Sequence, residues 1–250
     1  MEIDGNLYDV NVYENKIGKL LKDQIGDYDI SKINEEQIEG NSVVWGSDAS
    51  VNPDGTRLVF FSNRNSFTAK NLNGQMWKKD LLTGIEEPVV EGGYHIIGWG
   101  KSNEIYIKRS DQIFKVDLDT NKESEIITFS LNEAISFPYL IHQSDYGSVN
   151  ITNVDTMIVK VLKIESLNQI NFIRTVDGSS WAMISFSPDR AKPESTIAIL
   201  NMETSEVRQL DEPENSFVID GRWLNEHQLL INTRTRGSDE EITYVIDQNQ

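Results

Sequence analysis

Three observations predict an all-β chain built from repeated four-stranded units. A hairpin pattern recurs along the 250 residues at intervals of roughly 40. Its strands are short, alternate apolar with polar residues and are bounded by turn residues. No long stretch carries helical periodicity. Radial repetition of such units is a β-propeller, and the spacing leaves five or six blades open.

The hairpin is clearest in QIFKVDLDTNKESEII, Gln112 to Ile127, where an alternating strand ends in Asp, a short turn follows and a second strand begins. QMWKKDLLTGIEEPVV, TIAILNMETSEVRQL and NLYDVNVYENKIGKLL repeat it, and ITYVIDQNQ starts it once more. One slot, at the end of the first strand, holds Asn11, Asp80, Asp117, Asn201 and Asp247, and Lys163 takes it in the weaker copy MIVKVLKIESLNQI. A short carboxylate or amide there accepts N–H groups of the following residues and opens the turn.

The other half of the unit is strand, turn, strand, polar loop. It reads SVNPDGTRLVFFSNR in one copy and FIRTVDGSSWAMISFSPDR in another, with Gly55 and Gly178 where the turn needs a positive φ. IIGWGKSNEIYIKRS and IDGRWLNEHQLLINTR are further copies whose first strands end alike in Trp99 and Trp223. FPYLIHQSDYGSVNIT is the least legible copy. The resulting blades run over 45–91, 94–130, 135–168, 169–213 and 216–250. Trp77, Trp99, Phe114 and Trp223 are expected to pack between sheets, because a blade covered by neighbours buries both faces.

NPDGTRLVFFSNR followed by QMWKKDLLTGIEEPVV resembles the TolB-like β-propeller repeat: a P-D-G turn, an apolar strand, S-N-R, then an aromatic-bearing strand ending D-L-x-T-G. The resemblance covers most of 45–250 and is close in the first copy. Elsewhere the P-D-G becomes Val176-Asp177-Gly178, Gly100-Lys101-Ser102 and Asn225-Glu226-His227. It implies a fold more than an activity, since related repeats occur in periplasmic binding proteins, in the propellers of prolyl oligopeptidase-like enzymes and in other exported proteins.

The whole chain, 1–250, is expected to form one propeller domain. Residues 6–21 would be a closing hairpin, 22–44 an acidic loop or insertion, and 45–250 about five blades. Chain ends that fall inside the repeat suggest a segment of a longer exported or cell-envelope protein, its signal peptide outside this sequence.

Charge and composition narrow the partners. A net charge of −17 argues against nucleic acid and anionic membrane surfaces, which need a basic face. The absence of cysteine excludes disulfides, thiolate metal sites and a cysteine nucleophile. No apolar run is long enough to insert as a spanning helix.

The most informative repeated side chain is an arginine. Arg64, Arg109, Arg190 and Arg234 each follow a second strand. In a propeller these positions share one face, and guanidinium forks match carboxylates there. They are the candidate ligand-binding residues, for a protein or peptide; their alternative role is to tie blades together. Asp48 and Asp220 on innermost strands are the candidates for a glycosidase-like pair. His95, His142 and His227 accompany no obvious nucleophile, no G-x-S-x-G elbow occurs, and Ser238 to Glu241 reads as a solvated charge run. No catalytic residue, metal site or cofactor is therefore assigned. The expected function is a non-enzymatic binding or scaffolding module, with a hydrolase propeller, glycosidase-like or the gate of a peptidase, as the alternative.

Overall fold

The computed structural model describes residues 46–62, 75–92, 94–164, 167–176, 178–187, 195–210 and 215–247, and before them the backbone of four short strands at 2–3, 6–11, 16–19 and 28–29; side chains are described from residue 48 onward. Six antiparallel sheets form among these residues. The first joins β1 (Glu2–Ile3), β2 (Asn6–Asn11), β3 (Lys16–Lys19) and β4 (Tyr28–Asp29) in that order. The hairpin at 6–21 thus supplies its two middle strands, and the segment expected as a loop supplies β4.

Four further strands, β5 (Gly46–Val51), β6 (Arg57–Ser62), β7 (Gln75–Asp80) and β8 (Glu86–Glu91), make the second sheet. The third contains β9 (His95–Trp99), β10 (Glu104–Arg109), β11 (Gln112–Asp117) and β12 (Lys122–Ile127). The fourth contains β13 (Asn132–Ser136), β14 (Tyr139–Gln143), β15 (Ser148–Asn153) and β16 (Ile158–Lys163). The fifth contains β17 (Gln169–Thr175), β18 (Trp181–Ser187), β19 (Thr196–Asn201) and β20 (Val207–Leu210). The last has three strands, β21 (Ser216–Trp223), β22 (Gln228–Thr235) and β23 (Glu241–Asp247). No described helix is long and apolar enough to cross a membrane.

Burial grades across the sheets whose side chains are described. The second strands β6 and β18 are near-continuous apolar runs buried on both faces, as are the third strands β7 in part and β19. A strand covered on both faces has no polar side to alternate with. Two compact units contain these sheets: residues 1–96 with 116–123, and 97–115 with 124–250. In the first, Leu58, Phe60 and Trp77 form a core with Ala49 and Leu81 against it. In the second, one core joins Ala134, Ile141 and Ile151 to Ile184, Phe186 and Leu200 across the fourth and fifth sheets. Another joins Met183 and Ile199 to Val218, Leu229 and Ile231, with Trp181 and Trp223 packed against it. Trp77 and Trp99 are buried, and Phe114 is half-buried beneath Arg109.

The turns explain the repeated slot. Asp80 Oδ1 accepts from the N–H groups of Leu82 and Thr83 at 3.0 and 2.8 Å, and Asp117 Oδ1 from Asp119 and Thr120 at 3.0 and 2.9 Å. Asn201 Oδ1 does the same with Glu203 and Thr204 at 3.0 and 2.9 Å. Those bonds, led by the one from Thr83, hold the Asp80 carboxyl below its ordinary pKa. In the fourth sheet the slot belongs to Asn153, which accepts from Asp155 and Thr156 at 3.1 and 3.0 Å. This corrects the sequence reading, which put Lys163 there. The apolar run ending in Lys163 is the fourth strand, not the third, and its strong β pattern drew the alignment ten residues too far. In the other half of the unit, Asn52 Oδ1 accepts from Thr56 and Arg57 at 2.9 and 2.8 Å while Gly55 sits at φ 73°. In the last sheet Asn225 plays the same part toward His227 and Gln228.

Candidate functional site

The first strands of the second unit lie side by side and run in one sense. Near their starts, Asn132 Nδ2 donates to the Ile170 carbonyl at 2.9 Å, and Gln143 exchanges bonds with Asn168 and Ile170. Near their ends, Thr175 Oγ1 donates to the Ile135 carbonyl at 2.9 Å, and Ser136 Oγ reaches the Val176 carbonyl. Trp223 at the end of β21 donates its indole N–H to the carbonyl of Arg174 at 3.0 Å. Each second strand is antiparallel to its first, so second strands finish where first strands begin. Lys108, one residue from the end of β10, accordingly bonds the Leu131 carbonyl at 3.1 Å and Glu133 at 2.7 Å at the start of β13.

This geometry places two of the expected arginines at one end of the unit. Arg109 closes β10 with its guanidinium 5.1 Å from the centre of the Phe114 ring. Arg234 lies inside β22, opposite Glu241 in register, and forms a 2.5 Å ion pair with it. The carboxylate raises the Arg234 pKa. It is thus a cross-strand pair within one sheet, with 41% of the arginine side chain still accessible. Arg64 and Arg190 lie outside the described residues.

Two aromatic residues that the sequence did not single out share this end. Phe129, in the connection leading into β13, is 40% exposed, and Tyr146, in the turn between β14 and β15, is 52% exposed. An aromatic flanked by turn-forming residues, outside any alternating strand, was the available signal. Asp145 and Ser148 shape the Tyr146 turn through a hydrogen bond from the serine hydroxyl.

The acids and histidines are placed elsewhere. Asp48 sits at φ 52° in a bulge of β5. Bulges recur on the first strands β17, between Ile170 and Phe172, and β21, between Val218 and Asp220, and such bulges re-aim side chains along an exposed edge. Asp220, beside its bulge, is 3.4 Å from Arg174, whose guanidinium lies 4.9 Å from the Phe172 ring centre. His142 is buried in β14, opposite Glu133 and Asn150 in register, with Nε2 3.4 Å from Thr152 Oγ1. Burial pushes its pKa down to about 4, so the ring is neutral near pH 7. His227 lies beside Glu226 in a turn, and His95 is exposed at the start of β9. Among the described residues no group of three or more His, Asp or Glu is placed to hold a metal ion.

No protein-family model matches the chain, and no curated protein matches it by sequence. By structure it is similar to dipeptidyl peptidase 4 of Porphyromonas gingivalis, at 10% identity and TM-score 0.61, over 97% of this chain and 45% of that one. It is similar to acylaminoacyl peptidase of Pyrococcus horikoshii, at 13% identity and TM-score 0.58, over 96% of this chain and 43% of that one. It is also similar to the β-propeller domain of the Trilobed protease from Pyrococcus furiosus, described as having an open velcro topology, at 14% identity and TM-score 0.59, over 96% and 76% of the two chains. The chain therefore has the fold of a β-propeller domain, and it spans less than half the length of the two peptidases.

Proposed function

We propose that the chain is a non-enzymatic propeller module that recognises a protein or peptide at the arginine-bearing end of its sheets. The observation that carries this reading is the coincidence, at one end of the second unit, of Arg109 and Arg234 with the exposed rings of Phe129 and Tyr146. Arginine and aromatic side chains are the types that protein interfaces concentrate, and guanidinium groups add complementarity to carboxylates. The described first-strand acids in this unit, Glu133 and Asp220, face a lysine and an arginine rather than a second acid, which favours structure over acid–base chemistry at those positions. The six antiparallel sheets among the described residues support a blade count of six over five. The repeat pattern keeps a TolB-like ancestry as the preferred one.

Affinity capture from an extract of the source cell tests the binding reading, comparing wild type with a variant carrying Arg64→Gln, Arg109→Gln, Arg190→Gln and Arg234→Gln. A folded variant that loses a partner held by wild type supports it. A folded variant that keeps every partner refutes it.

The second reading is the propeller of a longer peptidase. It draws on the similarity to peptidases of which the chain spans under half. Labelling the native protein with a fluorophosphonate serine-hydrolase probe decides it: labelling of a product larger than 28.5 kDa favours a peptidase.

A further inference from the structure

The outer strand of the fourth sheet departs from its counterparts. β8 carries Glu86, Glu87, Pro88 and Glu91, β12 carries Lys122, Glu123 and Glu125, and β20 carries Arg208 and Gln209. Charges and proline on an open edge keep it from pairing with another chain. β16 reads Ile158-Val159-Lys160-Val161-Leu162-Lys163, with Ile158 and Val161 each 61% exposed and Val159 50%. Among the described strands it pairs with β15 alone, so its other edge directs main-chain N–H and C=O groups outward.

The two faces of this strand offer different surroundings. Ile158 and Lys160, opposite Asn153 and Ile151, line a cleft of about 220 Å³ with Tyr139, Ile151 and Met202. Val159, Val161 and Lys163 occupy the opposite face, since side chains alternate along a strand. The edge holds two lysines and no acid, in a chain of net charge −17.

We propose that β16 is a strand-addition site for an extended segment of another protein in which apolar and acidic residues alternate. The main chain of that segment would complete the open ladder. Its apolar side chains would enter the cleft beside Ile158, and its carboxylates, on the opposite face, would meet Lys163, while Lys160 stays on the Glu203 carbonyl at 2.6 Å. A second copy of this chain fits less well, because self-pairing would align two lysine-bearing edges and two bodies of the same large charge. The site runs along an outer strand rather than across strand ends, so it and the arginine-bearing end can each fail alone.

Fluorescence anisotropy of the full chain with a fluorescein-labelled heptapeptide of alternating Glu and Val tests the proposal. The expected result is saturable binding that weakens at least tenfold for three changes: N-methylation of alternate peptide amides, replacement of every Glu by Lys, and a chain carrying Val161→Glu with Lys163→Glu. Ile242→Glu, on β23, which among the described strands pairs with β22 alone, is expected to leave binding unchanged. No binding up to about 1 mM peptide overturns the proposal, as does equal binding of the N-methylated peptide. A concentration-dependent dimer in sedimentation, abolished by Val161→Glu with Lys163→Glu, would assign the edge to a second copy and equally overturn it.

Discussion

Lys108 on β10 and Glu133 on β13 form a 2.7 Å ion pair between two sheets, with 15% and 8% of their side chains exposed. Glu133 also accepts from the Ser130 hydroxyl at 2.9 Å, and Lys108 also bonds the Leu131 carbonyl. Removing one member of such a pair strands a buried charge, which costs about 3–5 kcal/mol, whereas replacing both with apolar side chains is often close to neutral. Glu133→Leu alone and Lys108→Met alone should each lower stability by about 3 kcal/mol or more in urea unfolding, and the double substitution should recover more than half of the loss.

His142 faces this pair from β14, opposite Glu133, with Lys108 reaching in from β10. Its folded pKa, about 4, lies below the ordinary 6.5, so the unfolded chain binds the proton first. The His142 contribution is intact above pH 6.5 and is lost progressively as pH falls toward 4. Between pH 6.5 and 5 the loss should be about 1.5 kcal/mol. Urea midpoints at the two pH values should show this slope in wild type and a flatter one in His142→Gln; parallel slopes would remove His142 as the cause.

Four turns between third and fourth strands put a residue at positive φ: Gly84, Asn121, Met157 and Ser205, at 75°, 54°, 57° and 66°. Met157 is the residue there least suited to this backbone, and its N–H still bonds the Asn153 carbonyl at 2.7 Å. Met157→Gly should raise stability by about 1 kcal/mol, and Gly84→Ala should lower it by a similar amount. Thermal melts of the two variants check the opposite signs.

Gly98 is required by contact rather than by a turn. A Cβ there would stand 2.7 Å from Ile135 Cγ2, on the first strand of the following sheet. Gly98→Ala should cost about 1–3 kcal/mol through overpacking. Combining it with Ile135→Ala, which removes that Cγ2, should cost less than the sum of the two single changes, which thermal melts of the single and double variants would show.

These positions also show what the sequence can and cannot carry. The turn slots at Asp80, Asp117 and Asn201 were legible because the side chain bonds its own following N–H groups, a local interaction. Asn153 was missed because β16 is more apolar than an outer strand usually is, and an apolar run outweighs a single amide in an alignment. The pairings of Lys108 with Glu133 and Arg174 with Asp220 join different sheets, so no local spacing announces them. The arginine repeat was visible as a pattern, but that Arg234 faces Glu241 depends on the register of β22 and β23.

The recognition reading is tested most directly by the dissociation constant of a captured partner for wild type and for a chain carrying Phe129→Ser and Tyr146→Ser. Both rings are exposed, so the fold should survive, as circular dichroism and melting would verify. Loss of two interface aromatics is expected to weaken binding by about 2 kcal/mol or more, roughly thirtyfold. An unchanged dissociation constant in the folded variant would contradict recognition at this end of the sheets.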